Sequence, residues 1–99
     1  MNIQEFQKIC AQIVSNIDKK YSIDRDFYVC FTQIIEEIGE LAKAINMKKL
    51  GSKNIDEKNL KEEFADVILQ LFMLAELFNI DVEEVVNNKV KILKQRHNL

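Results

Sequence analysis

The stretch EKNLKEEFADVILQLFMLAELFN, residues 57–79, decides the fold class. From Val67 to Phe78 only Gln70 and Glu76 are polar, a run shorter than the roughly 20 apolar residues of a bilayer span yet apolar on nearly every side. At about 100° per residue, Glu63, Asp66, Gln70, Met73 and Leu77 fall on one stripe that starts acidic and ends apolar. A solvated face would not turn apolar. The spacing therefore predicts a helix from about Glu57 to Asn79 whose acidic end points into packed surroundings.

On either side of this stretch the same period recurs. Ile3, Phe6, Cys10, Ile13, Val14 and Ile17 predict a first helix that fades at Asp18-Lys19-Lys20. Ser22 or Asp24 is expected to cap a second helix, which carries Phe27, Phe31, Ile34, Ile38, Leu41 and Ile45 on one face and ends near Met47. Lys48 to Asp56 reads as the main loop. Asp81, with Glu84 three residues on, has the form of a capping box for a last helix. Pro is absent and Gly occurs only at Gly39 and Gly51, which favours long helices. The expectation is an all-α, four-helix bundle protomer in a single domain over residues 1–99.

Composition narrows the partners. A net charge of −2 gives no general attraction to nucleic acid, and no apolar run suits a membrane. Residues 1–7 lack the basic-then-apolar layout of a signal peptide, so a cytoplasmic protein is expected. Cys10 and Cys30 fall at apolar helical positions and read as packed free thiols. The third helix is apolar on more faces than one bundle needs, with Leu69, Met73 and Leu77 lying away from Phe64, Ile68, Leu71 and Ala75. A homo-oligomer, dimer or tetramer, is expected to cover the surplus.

The chemistry lies in the acids. Glu36, Glu37 and Glu40 form Glu-Glu-x-x-Glu, and residues three or four apart lie one helical turn apart on one side. Glu63 and Asp66 repeat the arrangement on the third helix. Four or five partly desolvated carboxylates repel one another, and a cation resolves the repulsion. An all-oxygen set selects magnesium, manganese or calcium rather than zinc. A di-iron bundle needs Glu-x-x-His pairs, and the one histidine, His97, is a tail residue. Gly39, between Glu37 and Glu40, predicts a close neighbour on that side. On the last helix Lys89 and Arg96 share the face of Val82, Val85, Val86, Val90 and Leu93, where they are placed to clamp phosphate. Lys43, Lys48, Lys49 and Lys53 around the loop read chiefly as a solvated charge run. No glycine-rich phosphate loop is present, which excludes a P-loop mechanism.

Glu36-Glu37-Ile38-Gly39-Glu40-Leu41, followed by Glu62-Glu63-Phe64-Ala65-Asp66-Val67, resembles the Glu-Glu-x-x-Glu and Glu-x-x-Asp signature of MazG-like, all-α nucleoside triphosphate pyrophosphohydrolases. The similarity covers about residues 27–96. It implies hydrolysis of a nucleoside triphosphate to the monophosphate and pyrophosphate with magnesium, or manganese as a substitute. Carried over by position, Glu37, Glu40, Glu63 and Asp66 are the metal ligands and Glu36 the catalytic carboxylate that touches the metal or orients the attacking water. Lys89 matches a phosphate-contacting lysine and Arg96 a basic residue two turns later, while Gln70 is placed on the substrate side. Leu93 stands where relatives often carry Asn, and there is no Trp to form an aromatic base pocket. The competing expectation is a non-catalytic helical interaction module, or a nucleotide-binding one, built on the same acidic metal site.

Overall fold

The computed structural model describes residues 1–47, 49, 51 and 54–99. Four helices follow one another: α1 (Ile3–Lys20), α2 (Phe27–Ile45), α3 (Glu57–Leu77) and α4 (Val82–Arg96). Each begins on a side-chain cap that accepts a backbone N–H otherwise left without a partner. Asn2 caps α1 through Glu5 N at 2.8 Å, and Asp26 caps α2 through Val29 N at 2.8 Å. Asp56 and Asp81 cap α3 and α4 through Asn59 N and Glu84 N, each at 3.2 Å.

Asp26, not Ser22 or Asp24, starts α2. Ser22 is taken by the end of α1, where it sits at φ 56° while Ile23 N–H reaches back to the Asp18 carbonyl at 2.9 Å. That left-handed stop recurs after α3, with Asn79 at φ 54° and Ile80 N–H on the Ala75 carbonyl at 2.8 Å. Asn tolerates this conformation better than Ser, because its short amide bonds locally.

Helix α3 is central and packs against both α1 and α2, whereas α4 packs on α1. The core is Ala11 and Val14 of α1, Cys30 and Ile34 of α2 and Met73 of α3, with Leu74 against it. Both cysteines are free and buried, as expected. The buried side of α3 runs through Val67, Met73 and Ala75, with Glu63, Leu69 and Gln70 half-buried, so the acid-to-apolar stripe faces inward at Glu63, Gln70 and Met73 but is exposed at Asp66 and Leu77. Phe64, Ile68 and Leu71 are the exposed ones. This departs from the two sides expected of α3: Met73 is buried and Leu69 half-buried while Phe64, Ile68 and Leu71 are open, yet Ala75 of the Phe64 side is buried and Leu77 of the Met73 side is exposed.

Gln7, 1% exposed, is the joint between α1 and the α3–α4 corner. Its amide donates to Glu76 Oε1 at 2.9 Å and to the Ile80 carbonyl at 2.7 Å, and its oxygen accepts from Val82 N at 3.0 Å. A buried amide with these bonds filled is a specific anchor. Beyond it α4 buries no residue and exposes Val85, Val86, Val90, Ile92 and Leu93. The radius of gyration is accordingly 16.3 Å, against about 13 Å for a compact domain of this length.

Candidate metal centre

Glu37 faces α3 one turn beyond Ile34, and Glu63 and Asp66 lie a turn apart on α3 opposite it. Helix periodicity, together with the packing of α2 on α3, thus carries the three carboxylates to one place. One oxygen from each of Glu37, Glu63 and Asp66 lies within 4.8 Å of the others. Burial pushes the Glu37 carboxyl above its ordinary value, and the charges of Asp66, Glu63, Glu40 and Glu36 push it the same way. Among the described residues the ion pair formed is Arg25–Asp18, and no cation pairs with the cluster. A convergence of like charges, half-buried at Glu37 and Glu63 and without a counter-charge, fits a hard divalent cation, since carboxylate oxygens are the ligands such an ion prefers.

The expected site residues do not all meet there. Glu40 is exposed and acts on Glu37 through its charge, without joining the three-way convergence. Glu36 is exposed and borders a neighbouring groove with Tyr28, Val29 and Thr32. Gln70 lines a cavity of about 270 Å³ together with Glu37 and Asp66. Lys89 and Arg96 are exposed on α4 and do not line that cavity. Lys43 and Lys49 are exposed, while Lys48 and Lys53 lie outside the described residues. His97 is the exposed C-cap of α4. No close neighbour meets Gly39: a Cβ added there would touch nothing within 4 Å.

Arg25 is the residue that sequence reasoning missed. Its Nε donates to Asp18 Oδ2 at 2.6 Å and its Nη2 to Asp18 Oδ1 at 3.0 Å, and both side chains are 8% exposed. Nη1 donates to Gln33 Oε1 and, at 3.1 Å, to Gln70 Oε1. The Cys30 thiol, itself pushed up by burial, donates to the Gln70 carbonyl at 3.6 Å. Asp18, Arg25 and Gln33 line the same cavity as Glu37 and Asp66, so the acidic cluster and this network are two ends of one space. A signal was present: Gln7, Ala11, Val14 and Asp18 recur at helical spacing on one side of α1.

No helix among the described residues is long and apolar enough to cross a membrane. No solved structure matches the chain. An uncharacterized protein of Bacillus subtilis (strain 168), YvdC, is 32% identical over 72 residues, which cover 64% of this chain and 68% of that protein. A model of the MazG nucleotide pyrophosphohydrolase domain matches residues 29–99, taking in α2 from its third residue, both acidic motifs and all of α4. On that match, and with Glu37 of the first motif meeting Glu63 and Asp66 of the second across α2 and α3, the chain belongs to the MazG nucleotide pyrophosphohydrolase family.

Proposed function

We propose that this protein is a magnesium-dependent nucleoside triphosphate pyrophosphohydrolase, converting a ribo- or deoxyribonucleoside triphosphate and water to the monophosphate and pyrophosphate. The observation that carries the reading is the convergence of Glu37, Glu63 and Asp66, with no cationic side chain paired to them among the described residues, at the edge of a cavity in a chain of this family. These three would hold the ion, with Glu40 one turn along α2 completing the set, and manganese would substitute. A divalent ion bound there neutralises phosphate charge and acidifies a water.

The chain's own groups do the rest. Glu36 orients the attacking water and accepts its proton. Attack at the α-phosphorus breaks the bond to the oxygen that bridges to the β-phosphorus, and pyrophosphate leaves with that electron pair. Gln70 contacts the substrate from the cavity wall. Lys89 and Arg96 stand outside the cavity of the single chain, so we assign them to the departing phosphates where a second copy meets this one. The apolar residues left open on α3 and α4, Phe64, Ile68 and Leu71 with Val86, Val90 and Leu93, support a homo-oligomer.

Pyrophosphate release from nucleoside triphosphates, measured with magnesium and with a chelator, tests the function. We expect magnesium-dependent release. Nucleotide binding without release from any triphosphate would instead support the non-catalytic module.

A further inference from the structure

Arg25 decides what the cavity can offer a ligand. A guanidinium has only donors, so an amide beside it must turn its oxygen inward. Nη1 bonds the Oε1 of both Gln33 and Gln70, and Asp18 holds the guanidinium by two further bonds on the other side. A glutamine amide is otherwise free to flip, presenting oxygen or nitrogen as the occasion demands. Here both are set the same way. Each oxygen carries a bond from Arg25, and that of Gln70 a second from the Cys30 thiol at 4.0 Å, so the N–H groups are the half of each amide that the network leaves to an occupant, and neither amide nitrogen is buried without a partner.

The position of this donor pair is as specific as its chemistry. Gln33 precedes Glu37 by one turn on α2, and Gln70 follows Asp66 by one turn on α3. The amides therefore sit about 6 Å along each helix from the carboxylates, on the side toward α1. A ribose bridges a gap of that order. Ile13, Ile17 and Leu69 complete the wall, giving the same cavity an apolar side against which a flat ring can lie.

We propose that Arg25 is a positioning residue that holds Gln33 and Gln70 as amide N–H donors, so that this cavity selects nucleotides whose base presents carbonyl oxygens. Uracil and thymine, with two carbonyls each, are preferred over adenine, which has none. The proposal rests on the nucleotide reading above but not on turnover. A site whose buried polar groups match a substrate rejects the analogue that leaves them unpaired, because the lost bonds are not regained from water.

The test compares uridine and adenosine nucleotides in magnesium, by calorimetric binding of their α,β-methylene triphosphate analogues and by kcat/KM of the triphosphates themselves. Expected is at least about a tenfold preference for the uracil nucleotide in both. It should collapse toward unity in Arg25→Lys, which keeps the charge but loses the planar fork, and in Gln70→Glu, which replaces the donor with an acceptor. A structural role alone would lower both nucleotides equally and leave the ratio intact, and that result overturns the assignment of Arg25. Equal handling of the two nucleotides by the wild type overturns the proposal as a whole. Should no triphosphate be hydrolysed while the binding preference stands, the pyrophosphohydrolase reading falls and this one survives.

Discussion

The two ends of the cavity treat charge in opposite ways. At one end the fold buries a carboxylate, Asp18, and matches it at 2.6 Å with Arg25, leaving both 8% exposed. At the other it gathers Glu37, Glu63 and Asp66 with no cation among the described residues. Helices α2 and α3 contribute to both ends, and α1 with the Arg25 turn is added at the matched one, where the buried acid is neutralised within the fold. The contrast is between an acid neutralised within the fold and three acids that no cation among the described residues matches, which is what the proposed metal site requires.

Breaking the matched end should have the largest effect on folding. Arg25→Ala strips the buried Asp18 of its partner, and removing one member of such a pair costs about 3–5 kcal/mol. Urea denaturation would measure it, and a loss below about 1 kcal/mol would show that Asp18 finds water instead. The unmatched end should respond the other way. Asp66→Asn and Glu63→Gln are expected to lower pyrophosphate release at least about 100-fold while the metal-free protein melts no lower than wild type, since removing one of several like charges relieves repulsion. Destabilisation by both variants without magnesium would contradict the contrast.

Magnesium sharpens it further. An ion that binds only the folded chain should raise stability by about 2.7 kcal/mol at one hundred times its Kd, and by far less in Asp66→Asn. The smallest effect is with pH. Burial and the neighbouring acids hold the Glu37 carboxyl above its ordinary 4.5, so between that value and the folded one the folded chain binds the extra proton. Stability of the metal-free protein from this group is therefore fullest below about 4.5 and is lost as pH rises through the folded value. Thermal melts of wild type and Glu37→Gln across this range should diverge with rising pH, the variant staying the more stable. Parallel curves would mean that Glu37 is not strained.

Much of this was legible from residue spacing, and the exceptions share a cause. The four helices and the inward Glu63, Gln70 and Met73 of α3 follow from periodicity and capping, and Asp81 caps α4 as its motif predicts. Asp18 was read as the fading polar end of α1, although it lies on the buried side that Gln7, Ala11 and Val14 define. Periodicity weighs apolar residues, and on α1 the two anchors on that side are polar. Arg25, between two helices, has no period at all, and only the folded turn brings it to Asp18, Gln33 and Gln70. The open side of α3 was misplaced because a helix apolar nearly all round does not say which flank its neighbours take. The placement of α4 on α1, with Lys89 and Arg96 away from the cavity, depends on the corner that Gln7 locks.

The most direct measurement is the fate of the oxygen that water contributes. Turnover of a nucleoside triphosphate in oxygen-18 water with magnesium, followed by mass spectrometry of the products, locates the attacked phosphorus. We expect one labelled oxygen in the nucleoside monophosphate and none in the pyrophosphate. Label in released pyrophosphate, or orthophosphate appearing with a nucleoside diphosphate, would contradict attack at the α-phosphorus and with it the proposed reaction.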